Sequence, residues 1–127
     1  KEQQAYQQAF MSIKTKQYTQ AIDGMKTYLS TYPNGKFVPN AHYWLGELYA
    51  ISGDNQAAND QFNRVVNQYQ ASAKVPDALL KLGSLAEADQ NYTQAKADFR
   101  RITTNHPDTP AARIANTRLL ALAQSGR

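Results

Sequence analysis

Tyr43-Trp44-Leu45-Gly46-Glu47-Leu48-Tyr49-Ala50 is an apolar, aromatic-rich run at helical spacing with a single glycine in its middle. A glycine inside a helix costs about 1 kcal/mol relative to alanine. Its presence therefore predicts that another backbone comes so close to Gly46 that no Cβ fits. The same logic returns 37 positions later, where Leu82-Gly83 again sits inside a helical pattern.

Shifting the whole chain by that offset extends the coincidence. Ala9 aligns with Gly46 and Gly83, Ala21 with Ala58 and Ala95, and Met25 with Phe62 and Phe99. Tyr28 meets Val65 and Ile102, Tyr32 meets Tyr69, Pro39 meets Pro76, and Leu45 meets Leu82 and Leu119. The chain is thus built from a repeat, and each unit reads as two helices. The units span about 2–35, 38–71 and 75–108, with helix breaks at Lys16-Gln17, Ser52-Gly53-Asp54 and Gln90-Asn91 and stops at Pro33-Asn34-Gly35 and Pro107. A lone helix over about 110–124 repeats the small and apolar positions through Ala115, Leu119 and Ala123 and is expected to cap the stack. Within a unit, Gly46 or Gly83 is expected to face Ala58 or Ala95, with Phe62, Phe99 and Met25 filling the gap toward the next unit. A single hairpin cannot bury its apolar face alone, so the fold class is an all-α, right-handed superhelical solenoid of three hairpins plus a C-terminal capping helix.

The 127 residues suffice for one domain that buries roughly two-thirds of its unfolded surface. With no cysteine, disulfides, thiolate chemistry and cysteine-based zinc sites are excluded. No run approaches the ~18 apolar residues of a membrane span, so direct membrane insertion is not expected. The net charge of +4 lies entirely beyond Asn91, in Lys96, Arg100, Arg101, Arg113, Arg118 and Arg127 against Asp98 and Asp108. Aromatics are skewed the other way, nine of thirteen falling in the first 49 residues. Basic and aromatic residues are therefore separated, which argues against nucleic-acid binding, where both are wanted together.

The order of residues in the second and third units, His42, Leu45-Gly46, Tyr49, Ala58, Phe62 and Val65, then Leu79, Leu82-Gly83, Ala86, Tyr92, Ala95, Phe99, Ile102 and Pro107, resembles the tetratricopeptide repeat. The run from Tyr32-Pro33 through Pro39-Asn40-Ala41 to Tyr43-Trp44-Leu45-Gly46, followed by Val65-Val66 and Tyr69, is more specific and resembles the C-terminal domain of the YbgF (CpoB) family of Tol-Pal system proteins. Gln70 stands where that family has proline, which leaves the register of the second loop open. The resemblance implies an exported periplasmic protein that binds TolA and links outer-membrane constriction with septal peptidoglycan synthesis, and so with the peptidoglycan synthase machinery. It also implies trimerisation through an N-terminal coiled coil lying outside these residues, this domain being monomeric. The runner-up is a scaffold of outer-membrane assembly of the BamD kind, and a third reading is a nucleic-acid-binding adaptor.

No clustered nucleophile, base and acid is present, nor metal ligands at useful spacing, so no catalytic residue, metal or cofactor is expected. His42 lies on the core side of its helix and reads as structural, while Glu47, Glu87 and Asp89 read as solvated or loosely paired. A repeat stack offers instead a groove lined by the first helix of each unit. At 100° per residue, Tyr6, Phe10 and Ile13 share one stripe of the first such helix. The equivalent stripes hold Asn40, Tyr43, Glu47 and Ile51 with Trp44 at the edge, then Asp77, Leu80, Ser84 and Glu87. These are the candidate peptide-binding residues, the first two units carrying the aromatic anchors that a peptide groove needs. A carboxylate clamp is not expected, because Tyr6, Phe10, Trp44, Asp77 and Lys81 stand where cations and asparagine would be wanted, and only Lys81 fits.

Overall fold

The computed structural model describes residues 1–127. Its seven helices are α1 (Glu2–Lys14), α2 (Tyr18–Thr31), α3 (Val38–Ile51), α4 (Asn55–Gln68), α5 (Val75–Ala88), α6 (Tyr92–Asn105) and α7 (Pro110–Gln124). They form two compact units, Lys1–Val65 and Val66–Arg127, and α4 carries the chain from one into the other. In the first unit α1 packs on α2 and α2 on α3; in the second α5 packs on α6, and α7 on both. The helix starts use local chemistry: Asp54 Oδ1, Asn91 Oδ1 and Thr109 Oγ1 each accept the amide hydrogen three residues on, at 3.2, 3.3 and 3.2 Å.

The nearest neighbour of each mid-helix glycine is an aromatic ring. A Cβ on Gly46 would lie 2.6 Å from Cε1 of Phe62, and one on Gly83 would lie 2.5 Å from Cε1 of Phe99. Each ring, itself fully buried, presses into the notch left by the glycine of its own hairpin. The close partner is thus an aromatic side chain and not a backbone, and Phe62 and Phe99 seal their own hairpins. The first hairpin solves the same problem with other residues. Ala9 replaces the glycine, buried Met25 replaces the phenylalanine, and the notch moves to α2, where a Cβ on Gly24 would lie 2.8 Å from that of Ala9.

The turn inside each hairpin is equally regular. Lys16, Gly53 and Gln90, spaced by the repeat, all take positive φ, at 62°, 84° and 62°. The next residue in each case reaches back five positions: Gln17 N–H to Ser12 O at 2.8 Å, Asp54 N–H to Tyr49 O at 2.9 Å, and Asn91 N–H to Ala86 O at 2.8 Å. This left-handed helix end satisfies otherwise orphaned carbonyls, and only one of the three hairpin turns uses glycine for it.

The loops between hairpins share one register despite Gln70. Gly35, Ser72 and Thr109 each donate their amide hydrogen three residues back, to Tyr32, Tyr69 and His106, at 2.9, 2.9 and 3.3 Å. Ser72 Oγ also accepts the Lys74 amide hydrogen at 3.1 Å, a side-chain turn that needs no proline.

Two expectations follow. Gly46→Ala should destabilise the chain by about 1–3 kcal/mol by overpacking against Phe62, and Phe62→Met should cost less in that background than in the wild type, because Ala9 and Met25 already coexist; additive losses in urea denaturation would refute the pairing. Gln90→Gly should raise the unfolding free energy by about 0.5–1 kcal/mol by relieving the left-handed backbone, read from the urea midpoint at constant m.

Candidate peptide-binding surface

The first unit gathers six of its aromatic residues into one continuous chain of contacts. Phe37, placed by the loop before α3, stacks flat on Tyr6, with ring centroids 4.6 Å apart and planes 8° from parallel. Tyr6 in turn lies beside Phe10 at 6.3 Å and edge-on to Tyr28 at 5.8 Å. Phe10 meets Trp44 edge-on at 5.2 Å, Trp44 meets Tyr43 at 5.1 Å, and Tyr43 meets Phe62 at 5.6 Å. Each contact is of the offset or edge-to-face kind that aromatic quadrupoles favour.

The expected stripe therefore divides into struts and surface. Tyr6 and Tyr43 are buried, at 9% and 7% exposure, which corrects the expectation that they line an open groove. Phe37 covers the first, and the second is wedged between Trp44 and Phe62. Burial raises the pKa of the Tyr6 hydroxyl, and the nearby donor groups of Asn40 and Trp44 offset part of the rise. Phe10, Ile13, Asn40, Trp44 and Glu47 are half-buried, and Ile51 is 57% exposed. Lys14 lies over the Phe10 ring with Nζ 5.2 Å from its centroid. Of the aromatic residues on α1 and α3 in this chain of contacts, the edge-to-face pair Phe10–Trp44 keeps partial exposure, with a cation beside it, and Met11 and Ile51 are exposed.

Tyr28 and Glu2 hold α1 in this position. The buried Tyr28 hydroxyl donates to Glu2 Oε2 at 2.7 Å and accepts the Phe37 amide hydrogen at 2.9 Å, while the Lys36 amide donates to the same carboxylate oxygen at 2.6 Å. The Tyr28 bond, with help from the two loop amides, holds the Glu2 pKa below its ordinary 4.5. Burial, and then the adjacent carboxylate, push the Tyr28 hydroxyl up to about 12. This knot fixes the loop that carries Phe37, and nothing in the repeat pattern pointed to it: Glu2 stands where later units have Pro39 and Pro76.

In the second unit the expected residues belong to α5. Asp77 and Leu80 are half-buried and Ser84 is exposed. Glu87 is not loosely paired as expected, because the Arg118 guanidinium of α7 forks onto its carboxylate, Nε to Oε1 at 3.1 Å and Nη2 to Oε2. That contact raises the Arg118 pKa. His42 is structural, 8% exposed with Nδ1 2.7 Å from Gln61 Oε1, and burial lowers its pKa.

With this geometry in view, comparison with known proteins decides the family. A family model described as tetratricopeptide repeat matches residues 40–72 and 77–109, more than half of the chain. The chain belongs to the tetratricopeptide-repeat family. The expected fold class agrees with this and with a solved tetratricopeptide-repeat domain, that of Arabidopsis OM64, which superposes with a TM-score of 0.75 over 94% of both chains at 18% identity. The expected likeness to the YbgF (CpoB) family is met by two Pseudomonas putida proteins called cell division coordinator CpoB. Each is 41% identical over 56 residues, 44% of this repeat chain and 21% of the relative. The match thus spans about a fifth of those relatives' length. No helix of this tetratricopeptide-repeat chain is long and apolar enough to cross a membrane.

The knot makes a pH prediction. Glu2, whose folded pKa is depressed, contributes stability above about pH 4.5 that is lost as pH falls through its folded pKa. Tyr28, whose folded pKa is raised, loses stability as pH climbs from 10 toward about 12. In a phenolate absorbance titration one tyrosine should ionise near 12, and Glu2→Gln should lower that midpoint while flattening the acid limb of the stability curve; an unchanged midpoint would refute the coupling.

Proposed function

We propose that the chain is a non-catalytic protein–protein interaction module of the periplasmic Tol-Pal cell-envelope machinery. In this reading it binds TolA and couples outer-membrane constriction to septal peptidoglycan synthesis. The observation that carries it is the 41% identity to proteins called cell division coordinator CpoB, over 56 residues. The Phe10–Trp44 surface supports it physically, because rigid, partly exposed aromatic pairs are the anchors on which peptide interfaces concentrate their binding energy.

The docking face in this proposal is the α1–α3 surface of the first unit, with Phe10 and Trp44 as anchors, Ile13 and Ile51 extending the apolar area, and Asn40 and Glu47 supplying polar contacts. Tyr6 and Tyr43 act from behind as struts. In the second unit Asp77, Leu80 and Ser84 on α5 are proposed as further contacts, while Glu87 acts through its fork with Arg118.

Phe10→Ala should weaken binding of a purified TolA domain by about 2 kcal/mol, roughly thirtyfold, with far-ultraviolet circular dichroism unchanged. Trp44→Ala should do the same or more, since it also removes the indole from Tyr6. Equal affinity of wild type and both variants in calorimetry would remove this surface from the interface. Absence of binding by the wild type would instead remove TolA as the partner.

A further inference from the structure

The basic residues of the second unit are not all alike. Arg118 is held by Glu87, and Arg101 lies close enough to the buried carboxylate of Asp98 to lower its pKa against the stronger effect of burial. Lys96 and Arg100 have no such partner. They lie one turn apart on α6, on the side turned away from Asp98, and with Arg127 they surround a recess of about 250 Å³ whose apolar wall is Leu119 and Ala123 of α7. No aspartate or glutamate side chain lines it. Lys96 Nζ donates to the main-chain oxygen of Arg127, which holds its ammonium group beside another residue of the lining.

We infer that this α6–α7 recess is a second docking site, for an acidic peptide segment that places one apolar side chain against Leu119 and Ala123 and flanking carboxylates on Lys96 and Arg100. Three features select that occupant. At about 250 Å³ the recess falls below the ~300–1,000 Å³ of small-molecule sites and suits a single side chain. Cations with no aspartate or glutamate partner around an apolar floor are complementary to a segment carrying charge on either side of one hydrophobic residue, and such complementarity sets register and association rate. Single-stranded nucleic acid fits less well, because the nearby aromatic face, Tyr92, is covered by the Arg127 guanidinium 4.7 Å from its centroid and is not open for a base to stack. The site shares no residue with the aromatic surface of the first unit, so the two stand or fall separately.

The test uses the whole chain and a fluorescently labelled heptapeptide of one leucine flanked on each side by three glutamates. Wild type should give saturable anisotropy, weakened by added salt, and the K96E/R100E double variant should bind at least about tenfold more weakly with its circular dichroism unchanged. A peptide with serine in place of the leucine should also bind more weakly. Unaltered affinity in the double variant, indifference to the leucine, or displacement of the peptide by an equal concentration of oligothymidylate would each overturn the proposal. If the double variant fails to fold, amide chemical-shift changes on titrating the wild type serve instead: changes centred on Leu119 and Ala123 support the site, and changes confined elsewhere overturn it.

Discussion

The fit of a large side chain into a notch on the facing helix is the constraint on which this protein depends. Phe62 presses on Gly46 and Phe99 on Gly83, so closely that a single added methyl group would overlap the ring. Because interiors are packed to crystal-like density, such a contact sets both the spacing and the rotation of the paired helices. The first hairpin shows that the constraint concerns shape and not particular residues. There Ala9, Met25 and Gly24 distribute the same volume differently. The rotation set in this way also directs Trp44. With Gly46 turned toward Phe62, Trp44 lies about 200° around the helix and is directed away from the hairpin's seam.

A second layer of structure converts that geometry into a defined surface. Phe37, Tyr6, Phe10, Trp44, Tyr43 and Phe62 touch in sequence, so the exposed members of the chain are braced by buried ones. The knot of Glu2, Tyr28 and the amides of Lys36 and Phe37 closes the other end of this chain. As anchors of the proposed docking face, Phe10 and Trp44 would lose little entropy on binding because these neighbours brace them. The charge of the chain follows another arrangement. In the second unit one arginine is forked onto Glu87, whereas Lys96 and Arg100 remain directed at an apolar recess.

The repeat, its helices and its turns were legible because they are local and recur: the helix breaks fall within a residue or two of those expected, and α7 spans 110–124 in both. The left-handed residues at 16 and 90 were less visible, since Lys16 and Gln90 carry no signal of positive φ without Gly53 aligned between them. The candidate surface was legible only in part. Helical geometry placed Tyr6, Phe10, Tyr43 and Trp44 on related stripes, but it could not show that Phe37 would fold back over Tyr6, or that Phe62 would wall in Tyr43.

By itself, then, the sequence determined the repeat period, the all-α class and the family, because small, aromatic and turn residues at fixed spacing act through interactions within one hairpin. Only the tertiary structure decided which aromatic rings are struts and which are surface, that the ring of Phe62 fills the notch at Gly46, that Glu87 is held by Arg118 and that Glu2 ties down a distant loop. Those outcomes depend on residues some 16 to 35 positions apart meeting in space, and periodicity specifies the face a residue occupies without specifying what comes to cover it.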